Sequence, residues 1–287
     1  MQAQAKVQFL DGRGLTALPE SLRGASQLRH LDARANRLAT LPAWLAELPA
    51  LESLSIGANP LPGVPLVVTA LTGLRHLYLH ELALDAVPDA LGDLVGLRTL
   101  DLGHNSLRGL PHSLGRLSAL ETLYLADNRL EEIPDAVRRL RSLRYLGATD
   151  NRLTDLPAWI GELDQLVELR LYRNSLARLP EGIGRLRRLR ELHLHDNRIA
   201  ALPQSIAALG ELRHLDLRNN ALRMIPAGIG SLARLRVLDL RGNLLEQLPD
   251  VLGELPELEK LDLRWNRFAD PPPVCERLCG RGCVVLR

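Results

Sequence analysis

Aromatic residues and lysine are scarce in this sequence. Aromatic side chains make up 3% of the 287 residues although hydrophobic residues reach 46%. The core must therefore be built from aliphatic side chains, chiefly leucine. Lysine occurs only at Lys6 and Lys260, and the other basic residues are arginines. This bias is typical of a GC-rich coding sequence and predicts a bacterial source.

An excess of one charge, a long apolar run and a signal sequence are also missing. The 36 basic and 34 acidic residues leave a formal net charge of +2, which disfavours nucleic-acid or membrane-surface binding. No segment approaches the roughly 18 consecutive apolar residues of a membrane span. The start, MQAQAKVQFLDGRGL, has no apolar core and no cleavage site. We therefore expect a cytoplasmic protein that binds neither nucleic acid nor a membrane.

The three cysteines, Cys275, Cys279 and Cys283, are clustered near the C-terminus. An odd, clustered number without a secretory signal indicates a reducing compartment. Their spacing would place them on one helical face, but Gly280 and Gly282 would interrupt such a helix. We expect buried structural thiols in a C-terminal cap, and the alternative is a metal-binding or redox trio.

One pattern, LxxLxLxxNxL, recurs along nearly the whole chain. It appears as LESLSIGANPL (51–61), LETLYLADNRL (120–130) and LEKLDLRWNRF (258–268). Its last apolar position recurs every 23 residues from Leu15 to Phe268 with no insertion or deletion. Such a period is typical of a solenoid, because one repeat cannot bury its leucines alone. The alternation in segments such as LHLHD predicts a short strand with one buried face.

The second half of each repeat reads LPxxLxxLxxL, as in LPHSLGRLSAL and LPEGIGRLRRL. Together the two halves resemble the 23-residue leucine-rich repeats of intracellular Ras-group proteins, Roco-type GTPases and some bacterial effectors. The resemblance implies an α/β fold: a curved, right-handed solenoid with a parallel β-sheet on the concave face and loops and short helical turns on the convex face. We expect one domain over 1–287, with a partial repeat (1–22), tandem repeats (23–268) and a C-terminal cap (269–287).

The proline of each LP and the asparagine of each repeat have structural explanations. Proline lacks a backbone donor and fixes φ, which suits the convex side. The asparagine can turn inward and satisfy backbone groups where the chain leaves the strand. Arg13 and Leu82 replace it in two repeats. We expect the third full repeat to be locally irregular, and Leu82→Asn to be neutral or stabilising.

Tyrosine and histidine concentrate at the third, fifth, seventh and eighth positions of LxxLxLxxN, which should face the concave side. All four tyrosines and seven of the eight histidines occupy these positions. Because aromatic residues are scarce, this placement favours a binding face; the alternative is the general preference of strands for aromatic residues. The predicted partner-binding residues are His76, Tyr78, His80, His104, Tyr124, Tyr145, Arg170, Tyr172, His193, His195, Arg218, Arg241 and Trp265.

The segment LDLR occurs in three successive repeats near the C-terminus. Each row of like charges is unfavourable alone and is compensated by the opposite row, while exposed pairs contribute about 0–1 kcal/mol. We expect a solvated structural ladder, and the alternative is a partner-binding stripe. The ladder consists of Asp216, Asp239 and Asp262 beside Arg218, Arg241 and Arg264.

Metal binding and catalysis have little support in the sequence. His80, Glu81 and His104 would be neighbours with zinc-ligand chemistry, but no short metal motif is present. No Gly-rich phosphate loop, nucleophile elbow or zinc-protease motif appears either.

We therefore expect a monomeric, non-enzymatic scaffold without metal or cofactor that binds a protein partner on its concave face. The alternative is the recognition module of a bacterial effector or of a larger ligase, kinase or GTPase system.

Overall fold

The computed structural model describes residues 6–287 and contains two compact units. The first unit is Met1–Leu130 with Pro134–Leu143, and the second is Glu131–Ile133 with Arg144–Arg287. The partial repeat predicted for residues 1–22 is described from residue 6 onward, so its first five residues lie outside the described part.

Each repeat contributes one strand of three residues, and within each unit neighbouring strands pair in parallel in sequence order. Equivalent positions of successive repeats face each other, as in Leu77↔Leu100 of the first unit and Leu192↔Leu215 of the second. The parallel sheet predicted from the repeat is therefore confirmed. The strands of the first unit are β1 (Val7–Phe9), β2 (His30–Asp32), β3 (Ser53–Ser55), β4 (His76–Tyr78), β5 (Thr99–Asp101) and β6 (Thr122–Tyr124). Those of the second are β7 (Tyr145–Gly147), β8 (Glu168–Arg170), β9 (Glu191–His193), β10 (His214–Asp216), β11 (Val237–Asp239), β12 (Lys260–Asp262) and β13 (Val284–Leu286).

Short helices lie between the strands, and a proline stands at the N-cap of each. Pro111 and Pro203 have φ of −65° and −69° and precede 3-10 helices, so the prediction that LP marks the irregular side is confirmed. Within residues 6–287 no helix is long and apolar enough to cross a membrane. The 3-10 helices are Glu20–Leu22, Ala43–Glu47, Asp89–Asp93, His112–Arg116, Asp135–Arg139, Ala158–Glu162, Glu181–Arg185, Gln204–Ala208, Ala227–Ser231 and Asp250–Glu254, and the α-helices are α1 (Leu66–Thr69) and α2 (Val274–Gly280).

The core is aliphatic, as the composition predicted. Leu192 and Leu194 of one repeat are both fully buried, and leucines at the same positions of the other repeats are buried as well. Burial of each such side chain stabilises the fold by about 1.5–3 kcal/mol. Trp44 is the only phenylalanine, tyrosine or tryptophan side chain that is buried within residues 6–287.

The repeated asparagines point inward and join consecutive repeats. Nδ2 of Asn197 donates to the carbonyl oxygens of Leu171 and Leu194, both at 3.0 Å. Its Oδ1 accepts the backbone N–H of Leu176 at 2.9 Å. One side chain thus satisfies backbone groups of its own repeat and of the preceding one, which confirms the structural role predicted for it.

The third full repeat is irregular, as predicted. The Leu82 side chain packs into the position that the asparagine occupies in other repeats. It is only 4% exposed. The backbone N–H of Leu82 donates to Oδ1 of Asn105 at 3.1 Å. Ala83, directly after it, has a φ of 54°, in the left-handed region that most residues avoid. The positive φ of Glu81 is shared by the equivalent residue of the other repeats. The backbone has turned so that the asparagine of the next repeat accepts a bond here.

The N-terminal partial repeat shows the same arrangement. The backbone N–H of Arg13 donates to Oδ1 of Asn36 at 3.1 Å, and Gly14 has a φ of 67°. The two repeats that lack the asparagine therefore share one backbone arrangement. In both, the residue at the asparagine position donates its N–H to the next asparagine, and the following residue has a left-handed φ.

We now expect Leu82→Asn to lower the free energy of unfolding by about 1–3 kcal/mol, against the sequence-based expectation of a neutral or stabilising change. The substitution removes buried apolar surface and places an amide in a site whose backbone already has another arrangement. Urea denaturation of the variant measures the effect, and Leu82→Met is the control of similar volume. A gain in stability would mean that this turn converts readily to the geometry of the other repeats.

The C-terminal cap consists of α2 and β13, which pairs in parallel with β12. Cys275 and Cys283 are buried, and burial raises the pKa of both thiols. Cys279 is exposed, so the expectation of three buried thiols is wrong at this position. The helix ends at Gly280, where the sequence predicted an interruption.

Candidate functional site

In each unit, the side chains at the third, fifth, seventh and eighth positions of the repeats form a surface that we call the open sheet face of that unit. Alternate side chains of a strand point to opposite faces, so Leu192 is buried while Glu191 and His193 are half-buried on this surface. Of the thirteen predicted binding residues, His104 and Trp265 are exposed, His195 is buried and the other ten are half-buried.

In the first unit, the predicted histidines each contact the next repeat. Nδ1 of His76 lies 3.0 Å from Oγ1 of Thr99, and Nδ1 of His80 lies 3.3 Å from Oδ2 of Asp101. Nδ1 of His104 lies 2.9 Å from Oδ2 of Asp127. Each histidine thus contacts a different side chain of the next repeat. That the three belong to one binding surface stays a prediction.

The surroundings shift the pKa values of His76, Tyr78 and His80 in different directions. The Asp101 carboxylate, at ion-pair distance from Nδ1, raises the pKa of His80. Burial lowers the pKa of His76, and burial raises the pKa of Tyr78. His80 is therefore easier to protonate than a solvated imidazole, and His76 is harder to protonate.

A pocket of ≈ 390 Å³ opens beside His80 on the first unit. Val7, Phe9 and Tyr78 give it apolar walls. The His80 ring lies against Gly57, where an added Cβ would come within 2.7 Å of the imidazole. The glycine is thus required for this position of the ring, a point that the sequence pattern did not predict.

In the second unit, five predicted residues lie close together. The rings of Tyr172 and His195 stack with centroids 4.2 Å apart and planes at 10°. The Arg170 guanidinium lies 5.7 Å from the Tyr145 ring centroid, within the range of a cation–π contact. His193 lies beside His214, with ring centroids 4.9 Å apart.

His195 is buried although it stands at a position predicted to face the open side of the sheet. It is 7% exposed, because the Tyr172 ring covers one side of it. Its Nδ1 lies 3.0 Å from Oδ2 of Asp216, an ion-pair distance, although the angle is not that of a hydrogen bond. His195 therefore supports Tyr172 from beneath, and the part of the pair that a partner can reach is chiefly the tyrosine.

The Asp/Arg ladder is also less solvated than predicted, since Asp262 is 1% and Asp216 is 7% exposed. Oδ1 of Asp216 accepts the backbone N–H of Arg218 at 3.2 Å. Asp262 accepts in the same way from Arg264 and also pairs with that guanidinium at 2.7 Å. An aspartate at the fifth position of a repeat thus closes the turn after the strand, which sequence reasoning missed. The same bond is made by Asp32, Asp101 and Asp239.

The direction of the pKa shift alternates along the three aspartates of this ladder. Burial opposes ionisation of Asp216 and Asp262, but the donors around each carboxylate outweigh it and lower the pKa of both. For Asp239, burial and the carboxylates on either side outweigh the Arg241 amide and raise the pKa. The middle aspartate is the one that the fold holds least favourably in its charged form.

We expect Asp239→Asn and Asp262→Asn to change stability in opposite directions at about pH 7. A raised folded-state pKa means that charged Asp239 costs stability above that pKa, a cost that disappears as the pH falls through it. Asp262 contributes stability above its unfolded-state pKa, which is lost as the pH falls through its lowered folded-state pKa. Asp239→Asn should leave the free energy of unfolding unchanged or raise it by up to about 1 kcal/mol, and Asp262→Asn should lower it by about 1–3 kcal/mol.

Denaturation of both variants at about pH 7 and about pH 4 measures these effects. Equal losses from the two substitutions would show that the carboxylates have the same role.

One cluster with metal-ligand chemistry lies on the second unit. The ligand atoms of Glu168, Glu191 and His193 lie within 4.8 Å of one another, and within residues 6–287 this is the one such group. His80, Glu81 and His104, considered from sequence, do not form one. Nε2 of His193 lies 3.1 Å from Oε2 of Glu191, and Arg170 pairs with Glu168. The arginine already neutralises Glu168, so a metal ion would have to displace it.

Trp265 lies in the last full repeat and is 72% exposed, with a φ of 60°. The Arg264 guanidinium is 5.4 Å from its ring centroid. The tryptophan borders a pocket of ≈ 200 Å³ that Phe268, Pro271 and Pro272 also line. The exposed ring contributes little to the core, and its role in binding stays a prediction.

Comparison with known proteins gives a consistent result. The family model described as a leucine-rich repeat region matches residues 85–178, 134–211 and 168–271, and no curated protein matches the sequence. A leucine-rich repeat protein of Leptospira interrogans is 30% identical over 95% of this chain and 81% of its own, with a TM-score of 0.65.

Two further structures share the fold. The leucine-rich repeat ectodomain of the Arabidopsis receptor kinase HAESA, solved with a peptide hormone, is 30% identical over 87% of this chain and 44% of its own, with a TM-score of 0.72. An internalin of Listeria monocytogenes, 22% identical, covers 98% of this chain and 86% of its own with a TM-score of 0.74 and shows the fold alone. The family model, the Leptospira relative and the 23-residue parallel repeat agree, and the chain belongs to the leucine-rich repeat family.

Proposed function

We propose that this protein is a non-enzymatic binding module that holds a protein partner on the open sheet face of its second unit. The observation that carries the proposal is the supported aromatic group around Tyr172. The Tyr172 ring is stacked on the buried His195, which Asp216 contacts from the next strand. A half-exposed tyrosine held in one position loses little conformational entropy when it binds, which is the property of interface anchors.

The neighbours of this group suit the same role. Arg170 lies over the Tyr145 ring, so a guanidinium and an aromatic face are presented side by side. Tyrosine and arginine are among the residues most enriched at binding hot spots. The titratable groups here are engaged in pairs such as His193–Glu191, an arrangement that supports a binding surface rather than a set of catalytic groups around a substrate.

The proposal includes the remaining features predicted from the sequence: a monomeric, cytoplasmic, bacterial protein that works without a cofactor. A second candidate function is the recognition module of a larger system. It is favoured by the likeness to the HAESA ectodomain, in which the matched repeats form 44% of the solved chain.

Site-specific photo-crosslinking tests the proposed face. A photoreactive phenylalanine analogue at Tyr172 should crosslink a partner protein from a lysate of the native organism. The same analogue at the exposed Met224, outside the open sheet face, is the matched control. A partner captured from position 224 but not from position 172 would place the binding surface elsewhere.

A further inference from the structure

A row of side chains runs along the edge of the sheet at the second position of each repeat, directly before the strands. Backbone bonds stack these residues in register, since the N–H of Val167 donates to the carbonyl of Arg144 and the N–H of Arg190 to that of Val167. We call this row the entry rim. In the second unit its members Arg144, Val167 and Arg190 therefore stand directly before three consecutive strands.

Elsewhere on the entry rim, three arginines are paired with carboxylates. Arg29 contacts Glu52 at 2.8 Å and Arg98 contacts Glu121 at 3.0 Å, each across one repeat. In the last repeats Arg236 contacts Glu257 at 3.1 Å. These pairs neutralise the rim locally.

The pairing is interrupted at Val167. This side chain stands between Arg144 and Arg190, at the place where Glu52 and Glu121 stand beside their arginines in other repeats. Within residues 6–287 no carboxylate pairs with Arg144 or Arg190. Two strand spacings, about 10 Å, separate the two backbones, and the smaller valine leaves a gap between them.

Two more arginines border the same gap. Arg187 donates to the carbonyl of Ala208 at 3.4 Å, and Arg188 donates to Oε1 of Gln165 at 2.6 Å, so both are held by neutral acceptors. The cleft has a volume of ≈ 410 Å³, and the one carboxylate along it, Glu211, is already paired with Arg234. Its lining consists of Arg144, Gln165, Val167, Arg187, Arg188, Arg190 and Glu211.

We propose that this cleft binds a small ligand that carries two or more linked phosphate groups. Four guanidinium groups without a carboxylate partner repel one another unless an anion lies between them. Guanidinium forks match phosphate oxygens in geometry and form charge-assisted hydrogen bonds with them. The spread of the arginines over about 10 Å favours a chain of phosphates over a single one. The site is on the entry rim and is separate from the protein-binding face proposed above.

Isothermal titration with inorganic tripolyphosphate in phosphate-free buffer of low ionic strength tests the proposal. We expect saturable binding of one ligand per chain, weakened by added salt, and at least about tenfold weaker binding of orthophosphate. Val167→Glu would restore the alternation seen at Arg29 and Glu52, and it should weaken binding at least about tenfold. Val167→Leu is its control and should stay within about twofold of the wild type.

A second pair of variants removes charge without touching the half-buried valine. The double substitution of Arg144 and Arg190 by Ser should weaken binding at least about tenfold. The control replaces Arg198 and Arg223 by Ser, two exposed arginines outside the cleft, and should leave the affinity unchanged. All four arginines are exposed, so these variants stay folded even if Val167→Glu does not. Absence of binding by the wild type at about 1 mM, or equal affinity of the two double variants, would overturn the proposal.

Discussion

Replacing Asn197 with Ala is expected to lower the free energy of unfolding by about 3–5 kcal/mol. The side chain makes four hydrogen bonds, to the carbonyls of Leu171, Leu194 and His195 and from the N–H of Leu176. It is 9% exposed, so water cannot replace these bonds once the amide is removed. Each lost bond costs about 1 kcal/mol, and backbone groups left unsatisfied inside the protein cost more.

Asn219 is the matched control for this prediction. It is exposed, its amide makes one bond, to Asp196 at 2.7 Å, and its φ is 53°. Asn219→Gly removes the side chain and tolerates the left-handed backbone, so it should cost no more than about 1 kcal/mol. Urea denaturation followed by circular dichroism measures both changes. Equal costs would show that the inward asparagine is not what joins one repeat to the next.

Leu194→Ala and Tyr172→Ala are expected to separate folding from binding. Leu194 is fully buried, so its truncation opens a cavity and should lower the free energy of unfolding by about 2–5 kcal/mol. Tyr172 is half-buried on the open sheet face, and its loss should cost about 1 kcal/mol or less in stability. Binding should show the opposite order, because loss of a central tyrosine anchor costs about 2 kcal/mol or more, roughly thirtyfold in affinity.

His195→Ala is the informative third variant of this series. Although it stands on the same face, removal of the ring takes away the imidazole beside Oδ2 of the buried Asp216. We therefore expect a loss of about 1–3 kcal/mol in stability as well as weaker binding, since Tyr172 loses its support. Denaturation and titration with the crosslinked partner give both quantities for every variant. Unchanged affinity of Tyr172→Ala would exclude this residue from the interface.

Most of the architecture could be predicted from the repeat because its period is so regular. The leucine pattern predicts the buried side chains, and the LP of each repeat predicts the helical side. The repeated asparagine predicts a structural role for that side chain. Leu82 is a position where the repeat pattern does not predict the packing of the side chain. The missing asparagine predicted an irregular turn, but only the coordinates show that Leu82 is packed and that Ala83 adopts a left-handed backbone.

The sequence alone determined the core and the set of side chains on the open sheet face, because these follow from a period and an alternation that are local along the chain. The parallel strand order was implied by the resemblance to leucine-rich repeats. Only the tertiary structure decided which of those side chains a partner can reach. His195 and Asp262 occupy positions that the pattern marks as open, yet they are buried. The exposure of a side chain on a parallel sheet depends on the neighbours one repeat away, such as the Tyr172 ring over His195. The unpaired arginines around Val167 arise in the same way, since charge pairing on the rim is made between repeats and not within one.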